Sequence, residues 1–218
     1  MAVRTKICGL TDANAVEAAI IHGADFIGLV FYPPSPRNVS PAKAAQLVAP
    51  VPDHVQKVGL FVDPDDELIQ SALDAVPLDW IQLHGSETAE RVQGIKQKFD
   101  VPVLKAIKIA NESDFDAAKS FESAADMLLF DAKAPKTMAN ALPGGNGLVF
   151  DWRMMQGLDI SLPWMLAGGL NAENVTEAVT ISGATRVDTS SGVEFEPGRK
   201  DPKAIAAFLT ALKTLNAE

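Results

Sequence analysis

The chain of 218 residues lacks several features on which whole classes of protein depend. Its single cysteine excludes an internal disulfide and a zinc or iron–sulfur site built from cysteines. No apolar run approaches the roughly 18 residues of a membrane span, and we see no signal-peptide pattern. Positive charge is scarce, with 19 Lys and Arg against 28 Asp and Glu. We therefore expect a cytoplasmic protein that binds neither nucleic acid nor membranes.

The composition that remains is that of a folded protein. Hydrophobic residues make up 47% of the chain and charged residues 22%, which is unlike a disordered sequence. The length allows one large domain with a sizeable core. No linker-like stretch divides the chain, so we expect one catalytic domain over residues 1–218.

Short apolar runs alternate with helix-like stretches along the whole chain. The runs that predict strands are 5–8, 25–30, 55–62, 80–83, 101–107, 127–130, 162–167 and 184–187. Predicted helices begin near Thr11, Ser40, Asp63, Ser86, Asn111, Asp151, Asn171 and Asp201. Eight strand–helix units of about 27 residues each predict a single (βα)8 barrel of parallel strands. A doubly wound open sheet is the structural alternative.

The first strand ends in a lysine and a cysteine that share a face. Strand alternation places Lys6 and Cys8 on one side and Ile7 on the other. A neighbouring ammonium would lower the pKa of the thiol and favour the thiolate, which can accept a proton. A lone buried cysteine can also be a small hydrophobic residue without further function. The charged lysine beside Cys8 favours a general base.

The sixth strand ends at Asp131, and a long irregular stretch follows from 132 to 147. Such connections are usually functional or disordered. On the active face of a barrel this one suggests a lid, with a disordered surface loop as the alternative. Asp131 has no helix to cap there, and partial burial favours the protonated form of a carboxyl, as a general acid requires.

Histidine is also scarce, and one of the three lies at a strand end. Gln82 and His84 share one face where the fourth strand stops, so they could contact a substrate or support residues that do. His22 and His54 lie away from strand ends and are interpreted as structural or surface residues.

Glycine and serine are concentrated after the seventh and eighth strands. Barrel enzymes commonly bind phosphate with these two loops, through close backbone N–H groups. The sequence therefore predicts a phosphate-bearing substrate. The candidate residues are Gly168, Gly169, Ser190, Ser191 and Gly192, together with Gly145 from the glycine-rich stretch 144–147.

These residues, in this order, resemble the phosphoribosylanthranilate isomerases of tryptophan biosynthesis. The matching segments are 6–9, 23–25, 35–37, 82–85, 150–152, 167–170 and 190–194, so the resemblance covers nearly the whole chain. Two positions depart from the pattern. Asn146 replaces a usual threonine, and Thr189 stands where a small apolar residue is common. Both concern loop detail and leave the acid–base pair intact.

The resemblance implies a cofactor-independent Amadori rearrangement of N-(5-phosphoribosyl)anthranilate to 1-(2-carboxyphenylamino)-1-deoxyribulose 5-phosphate. It implies Cys8 as base, Asp131 as acid and no metal. Asp188 would meet the sugar hydroxyls and Arg37 the anthranilate carboxylate, although Arg37 could also be a solvated loop residue. The further substrate-binding candidates are Lys6, Gln82 and His84. The expected partner is the phosphosugar substrate alone, bound by a monomer or a homodimer.

Other phosphosugar enzymes fit less well. A sugar-phosphate epimerase would need metal-binding histidines and acids at several strand ends, and indole-glycerol-phosphate synthase would need lysines and glutamates there. A non-catalytic phosphosugar sensor would retain the phosphate site alone, so the presence of both Cys8 and Asp131 argues against it.

Overall fold

The computed structural model describes residues 2–134 and 142–215. Eight parallel strands form a closed barrel in chain order, with β8 paired to β1. The predicted (βα)8 barrel is confirmed, and the open-sheet alternative is wrong. The strands are β1 (Arg4–Cys8), β2 (Phe26–Val30), β3 (Gln56–Phe61), β4 (Trp80–Leu83), β5 (Val103–Ile109), β6 (Met127–Ala132), β7 (Trp164–Leu166) and β8 (Arg186–Thr189).

Helices pack around the barrel where the strand–helix pattern predicts them, with one exception. They are α1 (Ala13–Ile21), α2 (Pro41–Val48), α3 (Asp66–Ala75), α4 (Ala89–Phe99), α5 (Asp114–Lys119), α6 (Val175–Ser182) and α7 (Pro202–Leu215). The helix predicted to begin near Asp151 is wrong, because a single 3-10 turn, Trp152–Met155, takes its place. Gly157 has a φ of 75°, which ends the turn shortly before β7. Among the described residues, no helix is long and apolar enough to cross a membrane.

Strand alternation separates two apolar clusters. One fills the barrel interior and consists of Phe26, Val58, Leu104, Ala106, Met127, Leu129, Met165 and Ala167. The other lies between strands and helices and includes Ile7, Ile81, Leu83 and Val187. Residues at odd positions of β6 face inwards, so Asp131 follows Met127 and Leu129 into the interior. The same alternation turns Lys6 and Cys8 inwards opposite Ile7, as predicted.

A short hairpin between β8 and α7 was not predicted. A 3-10 turn (Ser191–Val193) leads into β9 (Glu194–Glu196), which pairs in antiparallel fashion with β10 (Arg199–Lys200). These strands have two or three residues and little apolar character, so no periodic pattern marks them. Gly198 makes the bend with a φ of 83°, and a Cβ there would collide with the Pro36 carbonyl oxygen.

Candidate active site

A cavity of about 690 Å³, including its open mouth, lies at the carboxyl ends of the barrel strands. Most of the predicted site residues line it: Cys8, Arg37, His84, Asp131, Gly145, Gly168, Gly169, Asp188, Ser190, Ser191 and Gly192. Lys6 and Gln82 do not line it, because both side chains are fully buried behind it. Lys6 contacts Asp188, and Gln82 contacts His84.

The position of Cys8 depends on a glycine in the neighbouring strand. Cys8 pairs in register with Gly28 of β2. A Cβ at Gly28 would lie 2.9 Å from the Cys8 sulfur, which is too close for an unstrained contact. Gly28 therefore leaves the space that the thiol occupies. Gly28 was not predicted as a site residue, although a glycine inside an apolar strand often marks a close approach of another group.

Lys6 and Asp188 form a buried ion pair below the thiol. The register between β1 and β8 places them side by side, and Lys6 Nζ lies 2.8 Å from Asp188 Oδ1. Burial alone would lower the pKa of Lys6, but the negative charges of Asp188 and Cys8 outweigh it and raise the pKa. Lys6 therefore stays protonated and fixes Asp188 at the cavity wall.

The thiol pKa differs from the prediction. Burial raises the pKa of Cys8, Lys6 lowers it and Asp188 raises it, with a net result above the ordinary value. Lys6 thus acts in the predicted direction, and Lys200 also lowers the pKa of the thiol. A fully buried thiolate nevertheless loses more hydration than these two ammonium groups compensate, since Lys6 already pairs with Asp188.

Asp131 belongs to a chain of three buried polar side chains. His84 Nε2 lies 3.2 Å from Asp131 Oδ2, and Gln82 Nε2 lies 3.0 Å from His84 Nδ1. The other carboxylate oxygen of Asp131 accepts a hydrogen bond from the Ala132 N–H at 2.9 Å. Both oxygens are thus held, and the carboxyl group has a defined orientation towards the cavity.

The glycine-rich part of the 132–147 connection covers this acid. A Cβ at Gly144 would lie 2.7 Å from His84 Nε2 and 2.9 Å from Asp131 Oδ2, so only a glycine permits this approach. Asn146 closes the turn, donating from its amide to the Leu142 carbonyl at 2.7 Å and accepting from the Leu142 N–H at 3.0 Å. Residues 135–141 of the predicted lid lie outside the described residues.

The two glycine- and serine-rich segments meet at one end of the cavity. Gly168 and Gly169 have φ angles of 89° and 61°, which non-glycine residues rarely adopt. Thr189 Oγ1 donates to the Leu170 carbonyl at 2.6 Å, which ties the ends of β7 and β8 together. The hydroxyl at the unusual position 189 thus has a structural partner. Ser190 Oγ donates to the Cys8 carbonyl at 3.1 Å, which joins this end of the cavity to β1.

Arg37 is buried and held by Glu194. Its Nε and one terminal nitrogen each lie 2.8 Å from a different Glu194 carboxylate oxygen. Lys200 Nζ approaches the same carboxylate at 2.6 Å. The interpretation of Arg37 as a solvated loop residue is therefore wrong. No sequence pattern marks Glu194 or Lys200 as site residues, because the short hairpin that places them has no periodic pattern.

Comparison with known proteins identifies the family to which this site belongs. A family model described as N-(5'-phosphoribosyl)anthranilate (PRA) isomerase matches residues 5–211. The chain belongs to this family. Two isomerases of that name, from Paramagnetospirillum magneticum and Rhodospirillum centenum, are each 54% identical to the chain, over 98% and 99% of its length and 98% and 100% of their own.

Solved structures of the family share the architecture. The phosphoribosyl anthranilate isomerase of Thermotoga maritima has a TM-score of 0.87 and 36% identity, covering 97% of this chain and 99% of its own. A phosphoribosyl anthranilate isomerase in complex with reduced 1-(o-carboxyphenylamino)-1-deoxyribulose 5-phosphate has a TM-score of 0.84 and 34% identity over the same shares.

Proposed function

We propose that this chain converts N-(5-phosphoribosyl)anthranilate to 1-(2-carboxyphenylamino)-1-deoxyribulose 5-phosphate, with Cys8 as general base and Asp131 as general acid. The observation that carries the assignment is the single cavity into which both groups face, with glycine and serine segments at one end. A binding protein that recognised only the phosphate would need neither a thiol nor a buried carboxyl group beside that segment.

The reaction needs one proton donor and one proton acceptor. Asp131 gives a proton to the furanose ring oxygen, the C1–O bond breaks, and the anilino nitrogen lone pair forms the iminium bond. Cys8 then removes the C2 proton, the electron pair of the C2–H bond forms the C1–C2 double bond of an enolamine, and the π electrons of the iminium bond return to nitrogen. Protonation at C1 and loss of the enol proton give the ketone. C1 is reduced and C2 oxidised within one molecule, so no external electron acceptor takes part.

The buried pair of Lys6 and Asp188 supports the base. Lys6 lowers the pKa of the thiol against the larger effect of burial, and it holds Asp188 where a sugar hydroxyl can donate to its remaining oxygen. Lys6 and Gln82 act as positioning residues in this proposal, because neither lines the cavity. His84 lines the cavity beside the acid and is proposed to orient it.

The two charged ends of the substrate are proposed to bind to different residues of the cavity lining. Gly168, Gly169, Ser190, Ser191 and Gly192 would surround the phosphate with backbone N–H groups and hydroxyls. Arg37 would meet the anthranilate carboxylate, and Gly145 would approach the substrate from the covering loop.

A substrate-loss assay tests the proposal. Freshly generated N-(5-phosphoribosyl)anthranilate is mixed with the protein, and the loss of its fluorescence is followed with the doubly substituted Cys8→Ser/Asp131→Asn protein as control. We expect catalysed loss with the native chain alone. Tight binding of the product analogue without any turnover would favour the phosphosugar-sensor alternative instead.

The remaining properties follow from the same proposal. We infer a cytoplasmic enzyme that acts as one catalytic domain over residues 1–218, as a monomer or a homodimer, on a small phosphosugar without a cofactor. Monomers generated from a dimeric isomerase of Thermotoga maritima share the fold of this chain, which supports both oligomeric states.

A further inference from the structure

Glu194 is a buried carboxylate that holds two cations at once. Its side chain is 4% exposed, and those of Arg37 and Lys200 are 6% and 0% exposed. Burial would raise the pKa of Glu194, but hydrogen bonds and charge from Arg37 and Lys200 outweigh it and lower the pKa. Glu194 is therefore ionised. Burial lowers the pKa of Lys200, and the Glu194 carboxylate acts in the opposite direction. With both cations protonated, the three side chains carry a net charge of +1.

Arg37 lines the cavity itself, whereas Lys200 contacts Ser190, which lines it. Arg37 lies between β2 and α2, and its terminal nitrogen also donates to the Gly145 carbonyl at 3.3 Å. Lys200 comes from β10 and donates to the Ser190 carbonyl at 2.9 Å and to its hydroxyl at 3.1 Å. The Glu194 carboxylate thus links Arg37, through Lys200, to the segment 190–192.

We propose that Glu194 is a positioning residue for both ends of the substrate, holding Arg37 for a carboxylate and, through Lys200, the segment 190–192 for a phosphate. The identity of the two ligand groups rests on the proposed function. The alternative is that Glu194 only anchors the β9–β10 hairpin and affects folding without affecting recognition.

Glutamine at position 194 has nearly the same shape but cannot replace the carboxylate. Four donors converge on the two oxygens: two from Arg37, the Lys200 ammonium, and the Gly198 N–H at 3.3 Å. An amide offers one oxygen and turns its NH2 towards another donor. Two buried cations then repel each other without a counter-charge, and both move away from their present positions.

The test measures the affinity of each half-ligand by direct titration, without turnover. Inorganic phosphate and anthranilate are the probes, and Glu194→Gln is expected to weaken the binding of both by about tenfold or more. Arg37→Met should weaken the binding of anthranilate alone, and Lys200→Met should weaken the binding of phosphate alone. Glu196→Gln is the matched control on the same strand, since Glu196 is exposed and pairs with Arg199. It should change neither affinity.

Folding is checked for every variant by circular dichroism and thermal unfolding. If Glu194→Gln does not fold, Glu194→Asp is the alternative variant. It keeps the charge but is too short to reach both cations, so it should weaken the binding of at least one probe by about tenfold. Unchanged affinities in a folded variant, with only a lower melting temperature, would overturn the proposal in favour of a hairpin anchor.

These titrations also separate the inference from the proposed function. Absence of isomerase activity in the native chain would reject the proposed function, but the affinities for phosphate and anthranilate could still be measured. An active native chain whose Glu194→Gln variant binds both probes normally would reject the inference alone. In an active enzyme, the KM of Glu194→Gln should rise about tenfold or more, while kcat changes much less.

Discussion

His84 Nε2 lies 3.2 Å from Asp131 Oδ2, and both side chains are buried at the cavity wall. Gln82 holds the other nitrogen of the imidazole. Gln82 thus orients His84, and His84 in turn orients the carboxyl group of Asp131, the proposed acid. Proton transfer requires a fixed geometry of this kind.

This relationship predicts strong coupling between the two residues. Asp131→Asn should lower kcat by about 10²- to 10⁴-fold with little change in KM. His84→Asn should cause a smaller loss, because the acid remains but is less well placed. In the Asp131→Asn background the second substitution should cost little more. Steady-state kinetics of the complete double-mutant cycle measures this, and additive losses would show that His84 acts independently of Asp131.

The thiol environment predicts a pH dependence. Cys8→Ser should lose several orders of magnitude in kcat, because a hydroxyl is a poor base near neutral pH. Lys6 lowers the thiol pKa and Asp188 raises it, so Lys6→Met should move the rising limb of kcat/KM to higher pH. Adding Asp188→Asn removes the negative charge that raises the thiol pKa, so the rising limb should return towards lower pH. A limb that stays in place in Lys6→Met would indicate another base.

The phosphate segment predicts an effect on KM. A Cβ at Gly169 would lie 2.9 Å from the Leu148 carbonyl oxygen, so Gly169→Ala should displace the covering loop from the proposed phosphate position. We expect a raised KM with kcat less affected, and a larger effect with bulkier residues. Gly183→Ala is the control, because Gly183 has a similar φ of 72° but no neighbouring atom within 4 Å. An equal rise in KM in both variants would contradict local crowding as the cause.

The buried ion pair of Lys105 and Glu87 predicts acid sensitivity of the fold. Glu87 accepts from Lys105 Nζ at 2.8 Å and from the Asp63 and Gly85 backbone N–H groups. Burial would raise the pKa of Glu87, but these partners lower it. Its stabilisation is therefore present above the unfolded-state pKa of about 4.3 and is lost as the pH falls through the lower folded-state value.

We accordingly expect Glu87→Gln to lower the free energy of unfolding at pH 7 by about 3–5 kcal/mol, because Lys105 is left buried without its counter-charge. The variant should also lose less stability than the native chain on acidification. Denaturant unfolding across the pH range measures both effects. Glu177→Gln, at an exposed position of α6, serves as the control, and an identical acid response in Glu87→Gln and the native chain would contradict the prediction.

The acid–base reaction predicts that activity survives exhaustive treatment with a metal chelator. Both proposed proton-transfer groups are protein side chains, and the electrons move within the substrate. Activity is measured before and after chelation and after addition of divalent ions. Loss of activity that a divalent ion restores would favour the metal-dependent epimerase alternative.

The strand–helix pattern was sufficient to predict the barrel and the face on which Cys8, His84 and Asp131 lie. Side chains alternate with a period of two, and every parallel strand ends at the same rim, so a residue's place within its strand determines its exposure to the cavity. The glycine- and serine-rich segments proposed to bind phosphate were placed at the cavity for the same reason, as they follow β7 and β8 directly.

Other features depended on distances between residues far apart in the chain. Lys6 and Asp188 are 182 positions apart and Arg37 and Glu194 are 157 apart, so only the closed sheet and the hairpin bring them together. The prediction for the thiol pKa failed because the loss of hydration depends on complete burial, which the local sequence does not express. Local periodicity determined which side chains face the cavity, whereas tertiary packing decided which charges meet and how far water is excluded from them.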